Sequence, residues 1–163
     1  LAYIAWSFKN VKFGIAAVFA LIHDLIVLLG SFSLLGHFLG VEVDALFVTA
    51  VLTTTSFSVH DTIVVFHRLR ELRKKHPEVE IKKLSDQALT ETIVRSVNNS
   101  LTIIFMLSAL ILFGGENLRW FALALLVGTF TGTYSSPFVA VPVLILLQKL
   151  RAGRSLNFGK SSP

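Results

Sequence analysis

Asp61 is a carboxylate inside a stretch, Ala45 to Phe66, that is long and apolar enough to cross a bilayer. Burying such a group at the centre of a span costs roughly 2.5 to 3.5 kcal/mol, so an ionisable residue there marks an ion pathway, a proton relay or a substrate site. Arg95 is its charge complement. It lies about 4–5 Å inside the start of the next apolar stretch, and Asp61 about 7–8 Å from the end of its own, at 1.5 Å of rise per residue. Consecutive antiparallel helices pack as neighbours, which puts the two side chains within reach. Charged Asp61 compensates Arg95, whereas protonated Asp61 leaves Arg95 to seek another partner, so the favoured helix arrangement would follow the proton. A fixed ion pair that only neutralises two buried charges is the simpler alternative. His23-Asp24, near the middle of the first apolar stretch, offers either a second proton site or a polar contact between helices. His60 points about 100° away from Asp61 and reads as a packing residue.

Helical spacing organises the remaining polar residues into stripes. Thr54, Ser58 and Asp61 share one face, and Arg68 extends it; Glu91, Arg95, Asn98 and Thr102 repeat the pattern on the third stretch. The fourth stretch carries Thr129, Thr133 and Ser136, beside Gly128, Gly132 and Ser135. Gly128 and Gly132 form a GxxxG, which lets two helix backbones approach closely. Helices that are apolar outside with one polar stripe each place their stripes in a shared interior. The accessory polar candidates are therefore His23, Asp24, Ser58, His60, Asn98 and Thr102.

The elements that must position these groups follow from composition. The 163 residues are 53% hydrophobic and only 15% charged, with a mean hydropathy of +0.71, too apolar for an ordinary soluble domain. About 20 apolar residues cross a hydrocarbon core of ~30 Å, and four stretches qualify: 13–35, 45–66, 92–113 and 120–147. Residues 1–8 read as the end of a truncated span. The expected fold is all-α, a polytopic helical bundle forming a single transmembrane domain over 1–163. The charged segment 67–91 is the main loop. It carries the second helix out through Arg68–Lys75, breaks it at Pro77 and restarts through Ser85-Asp86-Gln87 as a helix cap. Pro137 and Pro142 are expected to kink the last span.

Lysine and arginine collect at one side: Lys9 and Lys12, then seven between Arg68 and Lys83, then Lys149, Arg151, Arg154 and Lys160. The opposite connections, 36–44 and 114–119, hold only Arg119. Basic residues accumulate on the cytoplasmic side, which places both ends of the four-helix unit there. The net charge of +5 is thus a topology signal, with no aromatic-basic platform for nucleic acid. No cysteine is present for disulfide or thiol chemistry. Ser135-Ser136 has no evident base, and no phosphate-binding loop exists, so no enzyme, cofactor or metal centre is expected.

Val59 to Glu71 reads VHDTIVVFHRLRE and strongly resembles the fourth membrane span of the SecF family, approximately (I/L)NDTIVVFDRIRE. Leu21 to Asp24, Phe113 to Glu116, and Phe121 to Gly128 continuing to Gly132–Ser136 match the family in the same order, so the resemblance covers roughly Tyr3 to Leu147. It implies a subunit that works with a SecD-like partner at the Sec translocation channel, in a bacterial inner membrane, using the proton gradient to draw out exported polypeptide. It implies that Asp61 and Arg95, which match the aspartate of the family's Asn-Asp-Thr motif and its intramembrane arginine, carry proton-coupled movement. It also implies that this chain holds the end of the second span plus spans three to six, without the family's periplasmic domain. His60 stands where asparagine is usual, His67 replaces aspartate, Ser56-Phe57 replaces Gly-Tyr, and Asn99 replaces threonine. These departures alter the polar surroundings of Asp61.

Two other classes compete. A cation transporter would use His23, Asp24, His60 and Asp61 as metal ligands, although adjacent His-Asp residues diverge on a helix and two helices would have to cooperate. A structural scaffold would use the polar stripes for packing alone, in contact only with membrane lipid and neighbouring helices.

Overall fold

In the computed structural model, which describes residues 11–157, the chain is helical almost throughout. The truncated span expected at residues 1–8 lies outside the described residues. Helix α1 runs Val11–Leu39, α2 Ala45–Lys75, α3 Ile81–Phe113 and α4 Glu116–Ser135; a π-helical turn, Ser136–Ala140, joins α4 to α5, Val141–Asn157. Four helices are long and apolar enough to cross a membrane, the last running unbroken from Leu118 to Lys149 across the π turn. No strand occurs among the described residues.

Local chemistry sets the turns. Gly40 adopts a φ of 66°, a left-handed geometry that glycine reaches without strain, and reverses the chain after α1. Asp44 then caps α2, its carboxylate accepting from Phe47 N at 2.9 Å. Pro77 disfavours helical backbone at His76, and α2 stops at Lys75. The restart differs from expectation: α3 begins at Ile81, and Ser85 is a second-turn residue whose hydroxyl donates to Ile81 O at 2.8 Å instead of capping. Burial of Leu84 and Ala88 against Leu69 and Leu72 accounts for the earlier start, because tertiary packing outweighs a capping preference. Only residues 76–80 of the expected 67–91 loop are non-helical.

Pro137 lacks an N–H and cannot continue the α-helical ladder. The helix accommodates it by widening: Val141 N donates to Ser136 O, five residues back, over the π turn. Pro142 falls in the first turn of α5, where a missing N–H costs least.

Helices α2 and α4 form the central pair; α1 packs against both and against α5, and α3 covers the other flank. Two apolar clusters lie at opposite ends. One joins Phe13, Phe66, Leu69, Leu84 and Leu144, with the Phe13 and Phe66 rings edge to face at 5.2 Å. The other joins Leu28, Phe32, Val41, Phe47 and Ala124. A polar layer separates them: Asp24, Thr54, Ser58, Thr62, Thr129, Ser135 and Ser136 are all buried. Large apolar residues such as Phe19, Ile26, Leu52, Phe105, Phe130 and Phe138 face outward, as a bundle solvated by hydrocarbon requires.

Candidate functional site

The glycine pair explains how the polar layer closes. A Cβ on Gly128 would collide with the Thr54 side chain, and one on Gly132 would lie 3.2 Å from Ser58 Cα. Both glycines therefore face α2, and the two backbones approach closely where polar side chains are short.

Asp61 sits on α2, half-buried, and its Oδ2 accepts the Ser96 hydroxyl of α3 at 2.7 Å. Among the described residues it forms no ion pair within 4 Å with Arg95. The two nevertheless line one cavity of about 210 Å³, together with His60, Thr92, Ser96 and Asn99. A larger recess of about 480 Å³ adjoins it toward the basic end, sharing Val64, Thr92 and Arg95 and lined further by His67, Arg68, Glu71 and Glu91. So Arg95 and Asp61 share one cavity without forming an ion pair, and Ser96 occupies the position expected of the guanidinium. The residue types and the helix seam were legible; the rotation of α3 by one residue was not.

That rotation also corrects the third stripe. Asn98 and Thr102 lie on the exposed side of α3, the Thr102 hydroxyl turning back to Asn98 O at 3.0 Å. Thr92, Ser96 and Ser100 face inward instead, with Ser100 and Thr133 hydroxyls 2.6 Å apart. Both sets recur at helical intervals on adjoining faces; packing against Asp61 and Thr133 selects the second.

Asp24 proves to be the hub of the polar layer. Its Oδ2 accepts from Ser58 on α2 and from Ser135 on α4, the latter at 2.8 Å, and its Oδ1 meets His23 Nδ1 at 3.1 Å. His23 Nε2 lies 3.2 Å from the Tyr134 hydroxyl, with the two rings edge to face. Next to this hub, Thr62 and Ser136 hydroxyls pair at 3.0 Å. Of the two alternatives for His23-Asp24, a contact between helices is thus present: one carboxylate ties α1, α2 and α4. Ser135, already noted beside the fourth stripe, and Tyr134 are the partners spacing alone did not assign. His60 is exposed and does not join the hub. Among the described residues no three His, Cys, Asp or Glu side chains converge as metal ligands.

At the mouth of the larger recess, Arg68 bonds Glu91 through Nε and Glu71 through Nη1, the second at 2.5 Å, and Lys75 reaches Glu71 at 2.8 Å. These bonds hold the Glu71 carboxyl at about 2, with Lys75 the larger cause and Arg68 next, and they lower Glu91 through Arg68 and then Gln87. The same carboxylates raise Arg68. This cluster staples α2 to α3 just beyond the apolar window.

Residues 1–150 match the family model described as "Protein export membrane protein SecD/SecF, C-terminal". The chain is 49% identical over 149 residues to the protein translocase subunit SecF of Thermobaculum terrenum, covering 89% of this chain and 47% of that protein. It is 44% identical to the corresponding subunit of Anaerolinea thermophila, covering 90% and 49%. It also resembles the crystal structure of SecDF in its super-membrane-facing form, with a TM-score of 0.88 and 35% identity over 96% of this chain and 21% of that one. A second SecDF structure, from Thermus thermophilus, gives a TM-score of 0.80 at 35% identity over 88% of this chain and 20% of that one. The chain spans about half the length of the curated relatives it matches.

Proposed function

The chain belongs to the SecD/SecF C-terminal family of protein-export membrane proteins, and from that premise we propose that it serves a proton-driven protein-export machine, with Asp61 as the group that gains and loses the proton. The observation that carries this reading is the shared cavity: a carboxylate and a guanidinium on neighbouring helices line one space inside a membrane bundle. An ionised Asp61 is held by the Ser96 hydroxyl and attracted across the cavity by Arg95. Protonation removes that attraction while leaving the hydrogen bond possible. Arg95 is then drawn toward Glu91, one turn back on its own helix, and the α2–α3 seam favours a different arrangement. One charge crossing the membrane potential supplies about 2.3 kcal/mol per 100 mV, enough to bias such a two-state seam severalfold.

The partners that fit are a SecD-like subunit, the Sec channel and an exported polypeptide. Support for the first comes from α3. Arg95 and Asn98 are exposed there among exposed Val94, Leu101 and Phe105, at a depth where lipid leaves polar groups unpaired. A second subunit packed on that face would satisfy them. In our reading the 76–80 turn and both ends of the four-helix unit lie in the cytoplasm of a bacterial inner membrane, by the distribution of basic residues. A Glu78→Cys variant labelled only from the outer face would refute that orientation. In this reading the role is mechanical, and Ser135 serves the polar layer by donating to Asp24.

The test is export into inner-membrane vesicles with and without a proton gradient. Asp61→Asn should abolish the gradient-dependent fraction at normal membrane levels and normal assembly. Full gradient-dependent export in that variant overturns the reading.

A further inference from the structure

Asp24 is buried at 7% exposure in the layer between the two apolar clusters, and nothing in the Asp61 cycle uses it. Its surroundings suit both protonation states. When it is ionised, the Ser58 and Ser135 hydroxyls donate to Oδ2, and His23 can donate from Nδ1 to Oδ1. When it is protonated at Oδ2, it must donate, and one of those hydroxyls must turn away. Ser135 has that alternative ready, since Gly132 O lies 3.3 Å from its Oγ. Neither state leaves a buried polar group without a partner, which is the condition for a carboxyl that titrates without unfolding its site.

A second observation connects this carboxyl to Asp61. A cavity of about 20 Å³ has Ser58, His60, Asp61, Asn99, Thr129 and Thr133 among its lining. That volume holds one water molecule, which needs two to four polar partners. Thr129 lines it with a hydroxyl that is buried and, among the described residues, has no hydrogen-bond partner. Ser58 therefore faces two ways. It bonds Asp24 on one side and borders the cavity it shares with Asp61 on the other.

We propose that Asp24 is a second proton-binding carboxyl of the membrane domain, joined to Asp61 by the Ser58 hydroxyl and one water molecule held against Thr129. The transfer balances without any other reactant. Asp24 Oδ2–H gives its proton to Ser58 Oγ as the Ser58 hydroxyl proton passes to the water, and a water proton passes to the Asp61 carboxylate. Asp24 ends ionised, Asp61 ends neutral, and Ser58 and the water are regenerated. Ser58 lies three residues farther from the basic end than Asp61, about 4.5 Å at 1.5 Å per residue, so the relay adds depth to the path. The titratable groups facing Asp24 are His23 on its own helix, Tyr134 on α4 through His23, and, across the small cavity, Asp61 and His60 on α2; Arg95 on α3 stands beyond, in the larger Asp61 cavity. The inference rests on the export reading for its biological meaning, but its test does not.

The test is infrared titration of the intact subunit, carrying isotope-labelled aspartate and assembled with its partner subunit in lipid, from about pH 4 to about pH 9. Two aspartyl bands of water-excluded character should titrate. Asp61→Asn should remove one and leave the other, and Asp24→Asn should remove the other. Ser58→Ala should keep both bands but slow proton exchange between them at least tenfold after a pH jump, and Thr129→Val should slow it likewise. If Asp61→Asn leaves no titrating band, or if Ser58→Ala and Thr129→Val exchange at the parent rate, the relay is refuted. Where Asp24→Asn fails to assemble, the labelled Asp61→Asn protein alone decides. Loss of export in Asp61→Asn with no Asp24 band separates failure of the relay from failure of the export reading.

Discussion

The Ser96 hydroxyl donates to Asp61 Oδ2 at 2.7 Å, directly beside Arg95 in the chain, so the carboxylate is held by a neutral donor while the cation waits across a shared cavity. A direct ion pair would lock α2 to α3. A hydroxyl permits either protonation state.

Ser96→Ala measures that difference. A hydrogen bond to a charged group contributes about 1.5–3 kcal/mol, and one between neutral groups about 1 kcal/mol. At neutral pH the substitution should cost about 2 kcal/mol in the parent but about 1 kcal/mol in an Asp61→Asn background. Unfolding in detergent, read as a double-mutant cycle, checks it; equal costs in both backgrounds would mean Asp61 is already neutral.

Gly128→Ala should destabilise the bundle by about 1–3 kcal/mol, because the added methyl drives α4 off Thr54. Thr54→Gly in the same chain should recover much of that loss. Thermal unfolding of the four variants of the cycle decides, and strict additivity would show that the two positions do not touch.

On α3 the two polar faces should behave oppositely. Asn98→Leu and Thr102→Leu should leave the isolated subunit within about 0.5 kcal/mol of the parent yet weaken its assembly with the partner subunit. Ser100→Ala should cost about 1 kcal/mol through the lost Thr133 bond and leave assembly intact. Stability and co-purification, measured side by side, separate the two.

That contrast also marks what a sequence can and cannot fix. The long apolar helices were legible from apolar runs, the break after Lys75 from Pro77, and a close helix approach at Gly128 and Gly132 from their spacing, though not that α2 is the partner. The inward face of α3 was not, because Glu91, Arg95, Asn98 and Thr102 on one hand and Thr92, Ser96 and Ser100 on the other both recur at helical intervals, and only contact with other helices chooses between them. Asp24 stood out by its type, but its partners Ser58 and Ser135 are 34 and 111 residues away, and spacing along one helix carries no information about such pairs.

The cluster at the recess mouth has a defined acid limb. Glu71 is held at about 2 against an ordinary 4.5, so its contribution is complete above about 4.5 and is lost as pH falls through about 2. Glu71→Gln should flatten the fall in stability over that interval, and high salt should shrink the parent's effect because the group is exposed. Melting temperatures along an acid titration check both.

The π turn at Ser136–Ala140 sets a phase. Each residue of an α-helix advances the side chain by about 100°, so the wide turn absorbs one residue without rotating the helix beyond it. At its start the consecutive hydroxyls of Ser135 and Ser136 bond different helices, one Asp24 on α1 and one Thr62 on α2. Downstream it keeps Val141 and Leu144 aimed at Phe66 and Leu69. Removing a single residue there would close the turn to a continuous α-helix and leave the basic-end segment in register, so the extra residue serves the turn itself, where Pro137 sits.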